Sequence, residues 1–254
     1  RAHRARPRRP RRAAPEPPAG AGRVIGLSSE DVGAIALSLK VSALAVAAET
    51  PLAVLAAYAL ARGRFGGRVA LEGLVTLPLV LPPVATGYIL LILFSRAGPI
   101  GALLAKAGIV LAFHWTGAAL AAAVMAFPLL VRPMRLAIEA IEPEVDEAAL
   151  TLGARPLVRF FTLTLPLAGP GVAAGLALGF AKALGEFGAT ITFVGAIPGE
   201  TLTLPMAIYQ ATQTPGAENE AARLCVVAAV LAVGAVAISE IVSRAAAKRA
   251  RPGP

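Results

Sequence analysis

The sequence predicts an all-α membrane protein with five transmembrane helices per subunit. Composition is the first reason: of 254 residues, 57% are hydrophobic and 15% charged, against roughly 45–50% and 25% in soluble domains. The second is where charge is missing. Gly73–Ser95, Ala107–Val131 and Phe160–Ala181 carry no Asp, Glu, Lys or Arg over 23, 25 and 22 residues. About 20 such residues cross a hydrocarbon core of roughly 30 Å as a helix. The third reason is that lipid offers the backbone no partners, so runs of this length are helices and not strands.

The elements follow in order. Residues 1–30 read as a basic, Pro/Arg-rich arm too polar to pack; Arg1–Arg23 hold eight Arg, one Glu and five Pro. The arm has no apolar stretch of signal-peptide length. Its composition, with the first methionine at Met125, gives the expectation that it lies upstream of the mature start; a solvated tail is the alternative. A transmembrane domain is expected over 31–245, with spans at about 36–61, 70–95, 107–131, 162–185 and 221–243. Glu49 interrupts the first just before Pro51. His114 and Trp115 start the third, at the interface. Cys225 opens the last and reads as inert. A cytoplasmic tail, 246–254, closes the chain.

Charge then orients these spans. The arm accounts for +7 of the net +9, so the rest of the chain is nearly neutral. One set of connections holds Arg62, Arg64, Arg68, Arg132, Arg135, Arg155, Arg159, Arg244, Lys248, Arg249 and Arg251; the opposite set, arm excluded, holds Lys40, Arg96, Lys106, Lys182 and Arg223. The positive-inside rule makes the first set cytoplasmic, with the C-terminus inside and the N-terminus outside. The arm's charge opposes that orientation.

The connection at 139–160 differs from the rest. Pro143 suits a first helical turn, and Glu144, Asp146 and Glu147 complement the positive end of the helix dipole. Gly153 is the expected stop and Pro156 can open a second short helix. On residue chemistry alone an amphipathic surface helix explains this equally well. Glu147-Ala148-Ala149, Gly153 and Leu165-Pro166 resemble the EAA signature of ABC importer permeases. That resemblance implies the type I importer permease fold, with this loop as the coupling helix that docks on a cytoplasmic ATPase. Glu147, Ala148, Ala149 and Gly153 would form the docking element.

Further runs narrow the resemblance. Leu77-Pro78-Leu79-Val80-Leu81-Pro82-Pro83 with Thr86-Gly87-Tyr88 is similar to molybdate permeases. So are Leu184-Gly185-Glu186-Phe187-Gly188-Ala189-Thr190-Ile191-Thr192-Phe193-Val194, Ile197-Pro198-Gly199-Glu200-Thr201 and Leu204-Pro205. The similarity runs from about Ser38 to the last helix, with tungstate and sulfate permeases as near relatives. It implies a bacterial plasma-membrane homodimer, a cytoplasmic ABC ATPase dimer and an external molybdate-binding protein. Glu49 departs from the family's small or apolar residues.

Other residues keep two readings. Gly171, Gly175 and Gly179 recur every four residues and make a face for close helix approach, within the subunit or against a second one. Lys182 and Glu186 are placed to pair across a turn; with Gly185 they mark a pathway or gate, or the interfacial end of the span. Glu186 in the path would repel a dianion, so it is not assigned as an anion ligand. The loop Ile197–Glu220 either faces an external protein or simply connects two spans.

No catalytic residues, cofactor or metal site are expected, and nucleic acid is not an expected partner. There is no G-x-x-x-x-G-K-[ST] run, so ATP chemistry would come from another chain. Paired carboxylates or a Ser–base set for a membrane enzyme are not visible, nor are the repeats and acidic relays of a secondary transporter. One cysteine excludes an internal disulfide, and no Cys/His spacing suits zinc.

Overall fold

The computed structural model describes residues 26–250, with side chains described up to Ile238 and at Ile241. Residues 1–25 of the basic arm, the side chains of Arg244, Lys248 and Arg249, and Arg251–Pro254 of the tail lie outside the described residues. Every regular element among those described is helical.

Helix α1, Ser29–Arg62, starts earlier than hydropathy suggests because Ser28 and Asp31 form a capping box. The Asp31 amide donates to Ser28 Oγ at 3.0 Å and the Ser28 amide to Asp31 Oδ2 at 2.8 Å, satisfying two otherwise orphan donors. At 34 residues it is about 51 Å long, more than a bilayer core needs.

The stretch expected as one span at 70–95 is two helices, α2 (Arg68–Val80) and α3 (Pro83–Phe94), meeting at 113°. Pro82 and Pro83 are the cause. They remove two backbone donors, and each disfavours α geometry in the residue before it; Leu81 and Pro82 are accordingly extended. A short α4, Gly101–Lys106, follows.

Helix α5 runs Trp115–Glu139, eight residues displaced from the expected 107–131. Gly108 and Phe113, at φ +76° and +59°, keep the preceding segment non-helical. His114 then caps the helix, its Nδ1 accepting from the Thr116 amide at 3.4 Å. At the other end the helix continues through Arg132 and Arg135. Charge marks where the apolar stripe stops, not where the helix does.

Past α5 come α6 (Pro143–Thr151), α7 (Pro156–Arg159), a π-helical turn at Phe160–Thr164, and α8 (Leu165–Leu167). The fourth span continues as α9, Gly169–Leu184, bent 69° from the preceding piece. Pro166 and Pro170 flank the bend. Then come α10 (Gly188–Val194), α11 (Leu204–Gln213) and α12 (Glu218–Ala250).

Helix α5 is the central element, packed along α1 and α9, with α12 against α9 and α10 against α3. Its buried residues include Ala118, Ala121, Ala122, Ala126, Leu130 and Met134. Small side chains here let helices approach without a hydrophobic drive between them. Helices α1, α5 and α12 are long and apolar enough to cross a membrane; counting each bent pair as one span gives five.

Candidate functional site

Two groups of predicted residues lie on either side of α9 in the chain. Before it, separated by the π-helical turn and α8, lies the module α6–α7. Pro143 occupies the first turn of α6 with Glu144 and Asp146, and no residue of this helix is buried. Glu147 and Ala148 are exposed, and Ala149 is half-buried. Gly153 stops the helix at φ +76°. Its amide donates to the Leu150 carbonyl at 2.9 Å, and that of Ala154 reaches the Ala149 carbonyl at 3.1 Å, which closes the C-terminus on a left-handed residue.

A nine-residue helix is too short to be stable in water alone, and α6 has no core of its own. Polar stitching holds it to the rest. Arg159 pairs with Asp146 at 3.1 Å, between α7 and α6. Arg62, at the end of α1, donates to the carbonyls of Ile138 and Ile141 at 3.2 and 2.8 Å. Arg135 bridges Glu139 on its own helix and Glu72 on α2 at 2.8 and 2.7 Å. Around α6 the module exposes Leu150, Leu152, Leu157, Val158 and Phe161, with Leu152 87% accessible. Sequence reasoning missed these apolar residues and Arg62. The leucines were legible as apolar side chains inside a charged loop; the partners of Arg62 are 76 and 79 residues away and had no local signal.

Gly171, Gly175 and Gly179 face α5. A Cβ on Gly171 would meet Ala137, one on Gly175 would lie 2.7 Å from the Leu130 carbonyl oxygen, and one on Gly179 would meet the Leu130 side chain. The close approach is therefore within the subunit.

At the far end of α9, Lys182 donates to Glu186 Oε2, while Glu186 Oε1 accepts from the Ala189 amide at 2.9 Å. Glu186 is 2% exposed, and both its oxygens are engaged. It locks the α9–α10 joint. Gly185 sits at the C-cap with negative φ, and nothing in the structure explains a glycine there. Nearby, His114 Nε2 lies 3.1 Å from Glu200, and Lys40 stands 3.4 Å over the Trp115 ring. These contacts tie the start of α5 to α1 and to the loop after α10.

Glu49 is different. It is buried, and among the described residues neither of its carboxylate oxygens has a hydrogen-bond partner. It lines a largely apolar groove of about 630 Å³ between α1, α2, α3 and α5, where the Thr86 hydroxyl is likewise without a partner. No group of three or more His, Cys, Asp or Glu able to hold a metal occurs among the described residues.

Bent helix pairs around a central α5, with a short exposed helix in the connection before α9, describe an all-helical membrane subunit. The family model for the inner membrane component of binding-protein-dependent transport systems matches residues 49–251, and the chain belongs to that family. It is 51% identical to the molybdenum transport system permease protein ModB of Escherichia coli K12, over 88% of this chain and 98% of that one. The Haemophilus influenzae protein of the same name is 49% identical over the same shares. Among solved structures, a chain of a bacterial ABC transporter involved in importing the acidic polysaccharide alginate superposes with TM-score 0.69 at 21% identity. That match covers 86% of this chain and 80% of the other. A chain of the MetNI methionine transporter, in an inward-facing conformation, gives 0.63 at 18%, over 85% and 94%. At those identities the likeness is one of fold.

Proposed function

We propose that this chain is the permease subunit of an ATP-driven importer that moves molybdate across the bacterial plasma membrane. The observation that carries the reading is 51% identity over 98% of a protein named for molybdenum transport. The subunit has no catalytic residues of its own. It works as a homodimer on a cytoplasmic ABC ATPase dimer and receives molybdate from an external binding protein, with its C-terminus inside and its N-terminus outside.

Helix α6 is the docking element, through Glu147, Ala148, Ala149 and the stop at Gly153. Its complete lack of buried residues supports this, because a short helix with a charged start and exposed leucines needs a partner surface. ATP-driven closure of the ATPases draws the two α6 helices together and opens the pathway outward. Hydrolysis reverses the movement, so the permease alternates between two packings of similar stability. Lys182, Gly185 and Glu186 form part of the gate. Their ion pair holds the α9–α10 joint, and Glu186 stays out of anion contact because its oxygens are committed.

Sulfate is the second reading, since the sulfate transport system permease protein CysW of Synechococcus elongatus is 36% identical over 70% of this chain. Uptake by the complete reconstituted transporter separates the two. Molybdate and tungstate should be carried, with sulfate excluded; uptake of sulfate alone overturns the molybdate assignment.

A further inference from the structure

The module 139–160 leaves the membrane domain at one place and rejoins it at another, and α1 touches both. Where it leaves, α5 ends at Glu139 and three residues, Ala140 to Glu142, lead to α6. The carbonyls of Ile138 and Ile141 belong to buried residues, 2% and 9% exposed, and Arg62 donates to both. A guanidinium at the negative end of α5 adds a second donor to the Ile138 carbonyl, which already accepts from the Ile141 amide at 3.3 Å, and supplies one to the Ile141 carbonyl. Where it rejoins, Phe160 begins the π-helical turn after α7, and Tyr58 packs against it edge-on, with centroids 5.2 Å apart and planes at 85°. Tyr58 and Arg62 are four residues apart on α1, hence on one face. A single turn of α1 therefore holds the beginning and the end of the module.

We propose that Tyr58 and Arg62 are positioning residues for coupling: together they clamp both ends of the α6 module to α1, so that displacement of α6 moves the membrane helices as one body. This rests on the reading of α6 as the docking helix. The physical argument is mechanical. A three-residue joint can absorb a push by changing its own backbone angles, as hinges do. Fixing the Ile138 and Ile141 carbonyls removes that freedom on one side, and the Tyr58 ring removes it on the other. The cation Arg64, two residues beyond Arg62, is exposed and takes no part in this clamp.

The test uses the whole transporter in proteoliposomes, with ATPase and loaded binding protein, and reads molybdate taken up per ATP hydrolysed. Arg62→Ala and Tyr58→Ala should each retain bound ATPase and basal hydrolysis while uptake per ATP falls about five- to tenfold, the usual size of a lost coupling. Arg62→Lys, which keeps a donor and a charge, and Tyr58→Phe, which keeps the ring, should recover uptake per ATP to within about threefold. Arg64→Ala should match the unaltered protein. Unchanged coupling in both alanine variants overturns the clamp. So does an Arg62→Ala chain that fails to assemble while Tyr58→Ala couples normally, since that pattern means a cap needed only for folding. Glu147→Lys run in parallel separates the two ideas. If it too stays coupled, the docking assignment of α6 has failed; if it uncouples while the clamp variants do not, only the clamp has failed.

Discussion

A carboxylate at bilayer depth is costly unless it finds a partner, and Glu49 finds none among the described residues. Leucine there removes an unsatisfied group and keeps the groove apolar. Glu49→Leu should therefore stabilise the isolated chain by about 1–3 kcal/mol, read by thermal unfolding in detergent. A loss of stability seen only in the assembled transporter would mean that another chain supplies the missing partner. Lys182 and Glu186 behave oppositely, because each satisfies the other and Glu186 also takes the Ala189 amide. Lys182→Met should cost about 3 kcal/mol by leaving a buried charge alone, and Glu186→Gln in the same chain should recover part of it. Additive losses would show that the pair is not coupled. These two cases mark what sequence can say at this scale. The i, i+4 spacing of Lys182 and Glu186 made their pairing readable. The isolation of Glu49 was not readable, since it depends on what three other helices bring to the groove.

At the scale of elements, periodic spacing and backbone chemistry were readable and bends were not. The four-residue recurrence of Gly171, Gly175 and Gly179 announced a packing face, which lies on α5. At Gly175 an added Cβ would sit 2.7 Å from the Leu130 carbonyl oxygen. A backbone atom cannot swing aside as a side-chain tip can. Gly175→Ala should accordingly lower stability by about 1–3 kcal/mol, a loss visible as a reduced melting temperature of the purified permease. Little change would mean that α9 slides along α5 without penalty. The reversal between α2 and α3 escaped a hydropathy reading because both helices are apolar and no charge falls at the joint. Pro82-Pro83 is the sign of the break that the sequence carries. The shift of α5 has the same root, since the apolar stripe reports depth in lipid whereas caps and positive φ report where a helix begins.

Across the whole molecule, the fold class was legible from where charge is absent, and the exposed helix α6 from Pro143, the acidic first turn and Gly153. The leucines around α6 were visible in the sequence, but their exposure on one module was not. Leu150, Leu152 and Leu157 are all more than half exposed, on a module outside the apolar spans, where lipid would not cover them. Apolar side chains clustered beside an acidic helix resemble the anchors of a protein interface, in which a few central residues dominate affinity. Leu152, the most exposed of them, adjoins the left-handed Gly153 that turns the chain. A charge there makes no contact that the permease itself needs. Leu152→Asp should leave insertion and thermal stability within about 0.5 kcal/mol of the unaltered chain while weakening capture of the ATPase by about 2 kcal/mol, roughly thirtyfold. Co-purification and a titration of ATPase against permease in detergent measure both. Equal affinity would leave the leucines as surface decoration and confine docking to the Glu147 side of α6. Loss of the folded permease would instead place Leu152 inside the module's own packing, against its exposure in the structure.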